Sequence, residues 1–234
     1  MYFQHAEGIR AEYPELVAAA IATTGITAAA DIDVDVDGQV ARFIAAAKAR
    51  LADGTESDLA PIKAWRQTFS KMGLKPTQYR CASEALLRRL RKEGDLPRIH
   101  PLIDLCNAVS VAFAIPVGVF DLDEISGDLE VRHAVGDEDY LTFSGTTERP
   151  EPGEVIFADA AGHAHARRWS NRQSGRSAVR RDTSRVLIVT EALHESAPDD
   201  VAELMKTLAD AVAATWHVTP TSAVLGPGAP RFEV

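Results

Sequence analysis

The stretch Pro101-Leu-Ile-Asp-Leu-Cys-Asn-Ala-Val-Ser-Val-Ala-Phe-Ala-Ile-Pro-Val-Gly-Val-Phe-Asp121 carries a change of period. Before Pro116 the apolar residues Leu105, Ala108, Val109 and Ala112 fall three and four apart on one stripe, the spacing of a helix face. Pro101 suits the first turn, where its missing N–H is not needed, so a helix is expected from there to about Val111. From Val117-Gly-Val-Phe onward the period shortens to about 2 residues, that of a strand. Only a short turn separates helix from strand, so both belong to one packed unit. The expectation is an α+β fold with a mixed, largely antiparallel sheet packed with helices.

Upstream, helices are expected over Glu15 to Thr23, Gly38 to Ala52, Asp58 to Met72 and Ser83 to Lys92, with the Ser83 hydroxyl as N-cap of the last. Downstream, strands are expected at Leu129 to Ala134, Tyr140 to Phe143, Glu154 to Ala158 and His163 to Trp169. The continuous apolar run Arg185-Val-Leu-Ile-Val-Thr190 has the composition of a central strand. Asp199 or Asp200 can cap a last helix reaching about Trp216, and Pro220, Gly226, Pro227, Gly228 and Pro230 suggest an irregular tail. This divides the chain into a helical part, residues 1–75, and an α+β core, residues 76–234, read as one continuous globular unit.

With 46% hydrophobic residues the 234-residue chain can bury a sizeable core. No uncharged apolar run approaches the roughly 18 residues of a membrane span, and the N-terminus lacks the order of a secretory signal, so a cytoplasmic location and no membrane partner are expected. Cys81 and Cys106 are too few for a disulfide framework and read as small buried hydrophobes. His163 and His165 alternate on one strand face without a third ligand at metal spacing, so neither metal nor cofactor is expected.

The net charge of −9 argues against indiscriminate coating of nucleic acid, DNA included. Charge is nonetheless segregated. Arg167, Arg168, Arg172, Arg176, Arg180, Arg181 and Arg185 cluster against Asp182 alone, while Asp121 to Glu154 is strongly acidic. Such a basic island can steer an anion to one face, or can be solvated surface paired with nearby acids.

Three ordered motifs, Asp104-Leu-Cys-Asn-Ala-Val-Ser, Ile115-Pro-Val-Gly-Val-Phe-Asp-Leu-Asp and Gly127-Asp-Leu-Glu-Val-Arg, are followed by Gly136-Asp-Glu, Gly153-Glu-Val-Ile-Phe-Ala-Asp and Asp182-Thr-Ser-Arg-Val-Leu-Ile-Val-Thr-Glu. Over about residues 100 to 192 this series resembles the editing domain of the bacterial phenylalanyl-tRNA synthetase β subunit, the module of its third and fourth B regions. Arg80-x-x-Ser83-Glu84-Ala85-Leu86 adds to a resemblance with free-standing proteins carrying that module. The resemblance implies a partner in the tRNA acceptor end, a misacylated aminoacyl ester as substrate, and hydrolysis in trans as translation quality control. No nucleotide-binding glycine motif accompanies it, so aminoacylation is not expected. Gly118 stands where many members of that family carry a histidine, and Gln173 or Ser174 near a family glutamate that reads tyrosine.

Hydrolysing an activated ester needs a held substrate, a placed water and donors for the oxyanion. Candidates for that chemistry are Asn107 and Ser110, one helical turn apart, with Glu84 as base or ammonium partner and Asp121 at a strand end. Each also has a structural reading: Asn107 as a tie between helix and strand, Glu84 as partner of the helix dipole, Asp121 as a turn cap. Candidates for substrate or RNA binding are Arg80, Arg172, Gln173, Ser174 and Arg176, with Trp169 as a platform for a base or as core. Two other functions fit the same residues: RNA binding without catalysis, and binding of a free amino acid. Oligomeric state is not legible.

Overall fold

The computed structural model describes every residue except Pro227, and every side chain except that of Pro227 and those of residues 30, 31 and 33–35. The chain begins with β1 (Tyr2–His5), α1 (Glu7–Glu12), β2 (Val17–Thr24) and α2 (Ala30–Arg50). A 3-10 turn, η1 (Glu56–Asp58), leads to α3 (Ala60–Lys71), α4 (Ala82–Glu93) and α5 (Pro101–Phe113). Then follow β3 (Val117–Asp121), η2 (Leu122–Glu124), β4 (Leu129–His133), β5 (Tyr140–Leu141) and β6 (Thr147–Glu148). The last elements are β7 (Val155–Asp159), β8 (Ala164–Arg167), β9 (Arg172–Gln173), β10 (Arg185–Ala192), α6 (Ala197–Trp216), β11 (Thr221–Leu225) and β12 (Arg231–Glu233).

The strands form a six-stranded sheet in the order β12-β1-β4-β7-β8-β9, a four-stranded sheet in the order β11-β2-β10-β3, and the β5–β6 hairpin. β1 pairs with β4 in parallel, and every other pair of named strands is antiparallel. The α+β expectation, a mixed and largely antiparallel sheet with helices, therefore describes the molecule. The two larger sheets meet through aromatic rings: Phe157 of β7 stacks on Phe3 of β1 at 6.0 Å and on Phe120 of β3 at 5.3 Å. α6 packs on β2 and β10, and α5 packs against α2, α4 and α6.

Residues 15 to 23 are the largest departure from the expected helices, because Val17–Thr24 is a strand. Alanine favours a helix by only a few tenths of a kcal/mol per residue over its usual competitors. Here β2 pairs along its full length with β10 on one side and with β11 on the other, and small side chains suit a strand covered by α6. The tail departs likewise: its residues form β11 against β2 and β12 against β1. β1 and β2 carry residues 1–75 into both sheets, so that part is not wholly helical.

The N-cap of α4 is Cys81, not Ser83, whose hydroxyl lies 3.4 Å from the Cys81 sulfur inside the first turn. Gly94 ends that helix with φ of 81°, its N–H bonded to Leu90 O at 2.8 Å, a conformation that glycine adopts without strain. Both cysteines are buried and unbridged, and burial pushes the Cys81 thiol up to about 12.

Candidate functional site

β3 is the outer strand of its sheet, and its unpaired edge faces the segment after β8. The Asp121 N–H donates to Ser177 O at 2.9 Å, and Gln173 Nε2 donates to Val119 O at 2.5 Å. Backbone groups alternate in direction along an antiparallel strand, so residues 117, 119 and 121 all turn their N–H and C=O groups to this edge.

Between the edge and the β8–β9 turn lies a cavity of about 80 Å³. One water needs about 10–15 Å³ measured this way, so a group of several heavy atoms fits. Pro116, Val117, Phe120, Phe157 and Val189 make the walls apolar, while Gln173, Asn171, Arg172 and Glu191 supply polar groups. Gly118 also lines it.

Glu191 lies near the C-terminal end of β10, on the same face as Leu187 and Val189, and is only 4% exposed. His5 Nε2 approaches its Oε1 at 2.5 Å and Trp169 Nε1 donates to the same oxygen at 2.8 Å. Arg10 bonds the other ring nitrogen of His5, Nδ1, at 3.3 Å. A guanidinium can only donate, so Nδ1 accepts and the imidazole proton sits on Nε2, facing Glu191. Burial pulls the Arg10 guanidinium below its ordinary value and Glu191 restores part of the loss. The bonds from His5 and Trp169 thus occupy one carboxylate oxygen within a wall of the cavity.

The β8–β9 turn holds Trp169 under this site at a conformational cost. Arg168 and Trp169 both have positive φ, 48° and 57°, each costing about 1–3 kcal/mol in a non-glycine residue. Arg168 N–H donates to Glu154 at 3.0 Å and Trp169 N–H to Val155 O at 2.7 Å, which fixes the turn. The indole is fully buried, edge-on to Tyr13 at 5.0 Å and Trp65 at 5.2 Å. It floors the cavity and offers no face to an incoming base.

The other expected residues are scattered. Ser110 is buried and donates to Ile115 O at 2.7 Å, closing the α5–β3 turn. Asp121 accepts from Asp123 N–H at 3.0 Å, which caps η2, and from Thr183 Oγ1 at 2.5 Å. Glu84 is 1% exposed and paired with Arg66 at 2.7 Å and Arg80 at 3.4 Å. Burial raises the Glu84 carboxyl, and the two arginines offset only part of that. Asn107 is half-buried on α5, and its side chain makes no hydrogen bond among the described residues. None of these four lines the cavity, whereas Trp169, Arg172 and Gln173 do. Arg80 also donates to Thr77 O, and its carbonyl accepts from Asn171. Arg172 pairs with Glu148 at 3.1 Å and covers the Tyr140 ring. Ser174 is buried and bonds Leu141 O at 2.8 Å, while half-buried Arg176 makes no ion pair among the described residues.

Glu191 and His5 were absent from the candidates drawn from sequence. The signal for Glu191 was there: a carboxylate completing the alternation Leu187, Val189 on a buried strand needs a partner or a ligand. His5 carried no local signal, since 186 residues separate it from Glu191.

A second polar cluster has the members of a hydrolase triad. Asp159 approaches His165 Nε2 at 3.2 Å, and His165 Nδ1 approaches Ser177 Oγ at 2.8 Å. Ser177 and His165 are 0% exposed, so no substrate reaches them, and the cluster ties β7, β8 and the following loop together. Burial alone would raise the Asp159 carboxyl, but hydrogen bonds from His165, His163 and the Ser126 N–H outweigh it and hold it well below the usual carboxylate range. No group of three His, Cys, Asp or Glu side chains that could hold a metal occurs among the described residues, and no helix among them is long and apolar enough to cross a membrane.

Comparison with known proteins gives these features a setting. The phenylalanine–tRNA ligase β subunit of Cereibacter sphaeroides is 36% identical over 76 residues, 32% of this chain and 9% of that protein. That of Thiobacillus denitrificans is 29% identical over 113 residues, 48% of this chain and 14% of that protein. The chain thus spans a small part of these relatives' length. Among solved structures, an N-terminal fragment of the phenylalanyl-tRNA synthetase β subunit from Pyrococcus horikoshii has a TM-score of 0.43 at 12% identity, over 54% of this chain and 45% of that one. The family described as the B3/4 domain matches residues 64–210, more than half of the sequence. The chain belongs to the B3/4 domain family.

Proposed function

We propose that this chain binds the aminoacylated end of tRNA and hydrolyses misacylated tRNA in trans, outside a synthetase. The observation that carries the reading is the buried Glu191 carboxylate in the wall of an otherwise mainly apolar cavity, within a B3/4 domain. An aminoacyl ester presents an apolar side chain, an α-ammonium and an activated carbonyl. The apolar walls suit the first, and the Glu191 oxygen not bonded by His5 and Trp169 suits the second. The outward N–H group of Val117, which lines the cavity on the unpaired strand edge, can donate to the oxyanion formed when water adds to the carbonyl. Collapse of that intermediate breaks the ester C–O bond: one proton of the added water passes to the leaving ribose oxygen, and the free amino acid, which keeps the water's oxygen, is released. Arg172 and Arg176 lie beside the cavity mouth and in the following loop, where they can hold phosphates.

In this reading Asn107, Ser110, Glu84 and Asp121 support the fold or the tRNA surface, and Glu191 takes the role at the reacting group. A specific observation favours recognition without chemistry as the second reading: Gly118 supplies no side chain to the cavity, and His5 stands behind Glu191. Turnover separates the two. Incubating the protein with a panel of correctly and wrongly charged tRNAs is expected to release amino acid selectively, with at least a tenfold loss in Glu191→Gln. Salt-dependent tRNA binding without release from any member would leave recognition alone; binding of free amino acid without tRNA would point to a small-molecule sensor.

A further inference from the structure

Phe143 stands at the tip of the β5–β6 hairpin with 74% of its surface exposed. It is the aromatic residue among the exposed large hydrophobics. The tip is braced by four short contacts: Thr142 N–H to Thr146 O at 2.8 Å, Gly145 N–H to Thr142 O at 3.0 Å, Thr146 N–H to Thr142 Oγ1 at 3.0 Å, and the Thr142 and Ser144 hydroxyls at 2.9 Å. A braced turn presents a side chain in a fixed direction, and here it presents an apolar ring to water.

The hairpin is also joined to the arginine-rich loop. Gly175 N–H and Ser174 Oγ both donate to Leu141 O at 2.8 Å, and Tyr140 Oη donates to Gln173 O at 2.6 Å. A Cβ on Gly175 would lie 3.0 Å from Thr142 O and 3.3 Å from the Phe143 Cα, so the loop backbone sits closely on the hairpin tip and a side chain there would press the tip outward. Arg176 follows at once, and Arg180 reaches back to Gly175 O at 2.9 Å. Among the described residues neither Arg176 nor Arg180 makes an ion pair, and the buried Arg176 Nε has no hydrogen-bond partner. The hairpin's own acid, Glu148, is already engaged by Arg167 and Arg172.

A rigid exposed ring near two guanidinium groups that make no ion pair among the described residues matches one ligand chemistry well: an unstacked base with its flanking phosphates. We propose that Phe143 stacks on a base of the unpaired 3′ strand of an RNA, with Arg176 and Arg180 on the neighbouring phosphates, so that the hairpin rather than Trp169 is the base platform. The inference rests on the reading of the cavity as a site for tRNA ends, and it names how that end is held.

The test is the affinity of the whole chain for a hairpin RNA with a four-nucleotide single-stranded 3′ end and for the same RNA trimmed blunt. Stacking on an aromatic side chain typically accounts for about five- to a hundredfold in affinity. Phe143→Ala is expected to lose about that factor for the overhanging RNA, Phe143→Trp to keep it, and blunt RNA to bind weakly and equally to all three. Because the ring is exposed, all three proteins should melt together. Equal binding of the overhanging RNA by Phe143→Ala and the parent overturns the inference, as does an absence of RNA affinity at low salt, the result expected if the ring served a protein partner. Phe143-dependent binding without deacylation would sink the hydrolytic reading alone; deacylation with a Michaelis constant indifferent to Phe143→Ala would sink this one alone.

Discussion

A carboxylate inside an apolar wall needs donors or a cation close by, and Glu191 has two donors on a single oxygen. Glu191→Gln keeps the shape and an acceptor oxygen for His5 and Trp169 while removing the charge. The protein is expected to stay folded and to lose at least tenfold in kcat/KM, read by single-turnover deacylation; an undiminished rate would move the ammonium partner elsewhere. Asp159 allows a test of stability. Its carboxyl is held below the ordinary range, so its stabilisation is present above the unfolded value near 4 and fades as pH falls through the folded value. Asp159→Asn should cost about 3 kcal/mol or more at neutral pH and less in acid, giving a shallower acid limb in denaturant midpoints taken from pH 7 down to 3. At this scale three of the residues that the sequence singles out, Arg172, Gln173 and Trp169, line the cavity, while Glu191 is not among those it singles out. An alternation in β10 marks Glu191 only once the inward face of that strand is known, and His5 reaches it only through the fold.

At the scale of elements, local pattern served where the partner is local. α5 and β3, joined by a turn that Ser110 closes, follow from the period change around Pro116, and β10 follows from its continuous apolar run. β2, β11 and β12 do not, because alanine-rich or glycine- and proline-rich sequence becomes strand only when a distant edge captures it. β2 should accordingly be among the most protected segments in native-state hydrogen exchange, with Ala18 to Ala22 exchanging as slowly as β10. Rapid exchange there, with β10 protected, would show that the pairing with β10 and β11 is not stable.

For the molecule as a whole, a net charge of −9 coexists with an arginine-rich loop on one side of the cavity. Binding of RNA should therefore be local and weaken with salt. Arg176→Ala should weaken it across RNA sequences and lower the slope of log affinity against log salt by about one, measured by titration from low to moderate salt. An unchanged slope would remove Arg176 from the interface. The proposed function puts the 3′ end of a charged tRNA at the cavity, with hydrolysis there as its central claim. The most direct test is release of amino acid from a panel of correctly and wrongly charged tRNAs by the parent protein and by Glu191→Gln, with an active editing enzyme as control. The account predicts selective release from wrongly charged tRNA that falls at least tenfold in the variant; no release from any tRNA while the control is active, or release indifferent to Glu191→Gln, would contradict it.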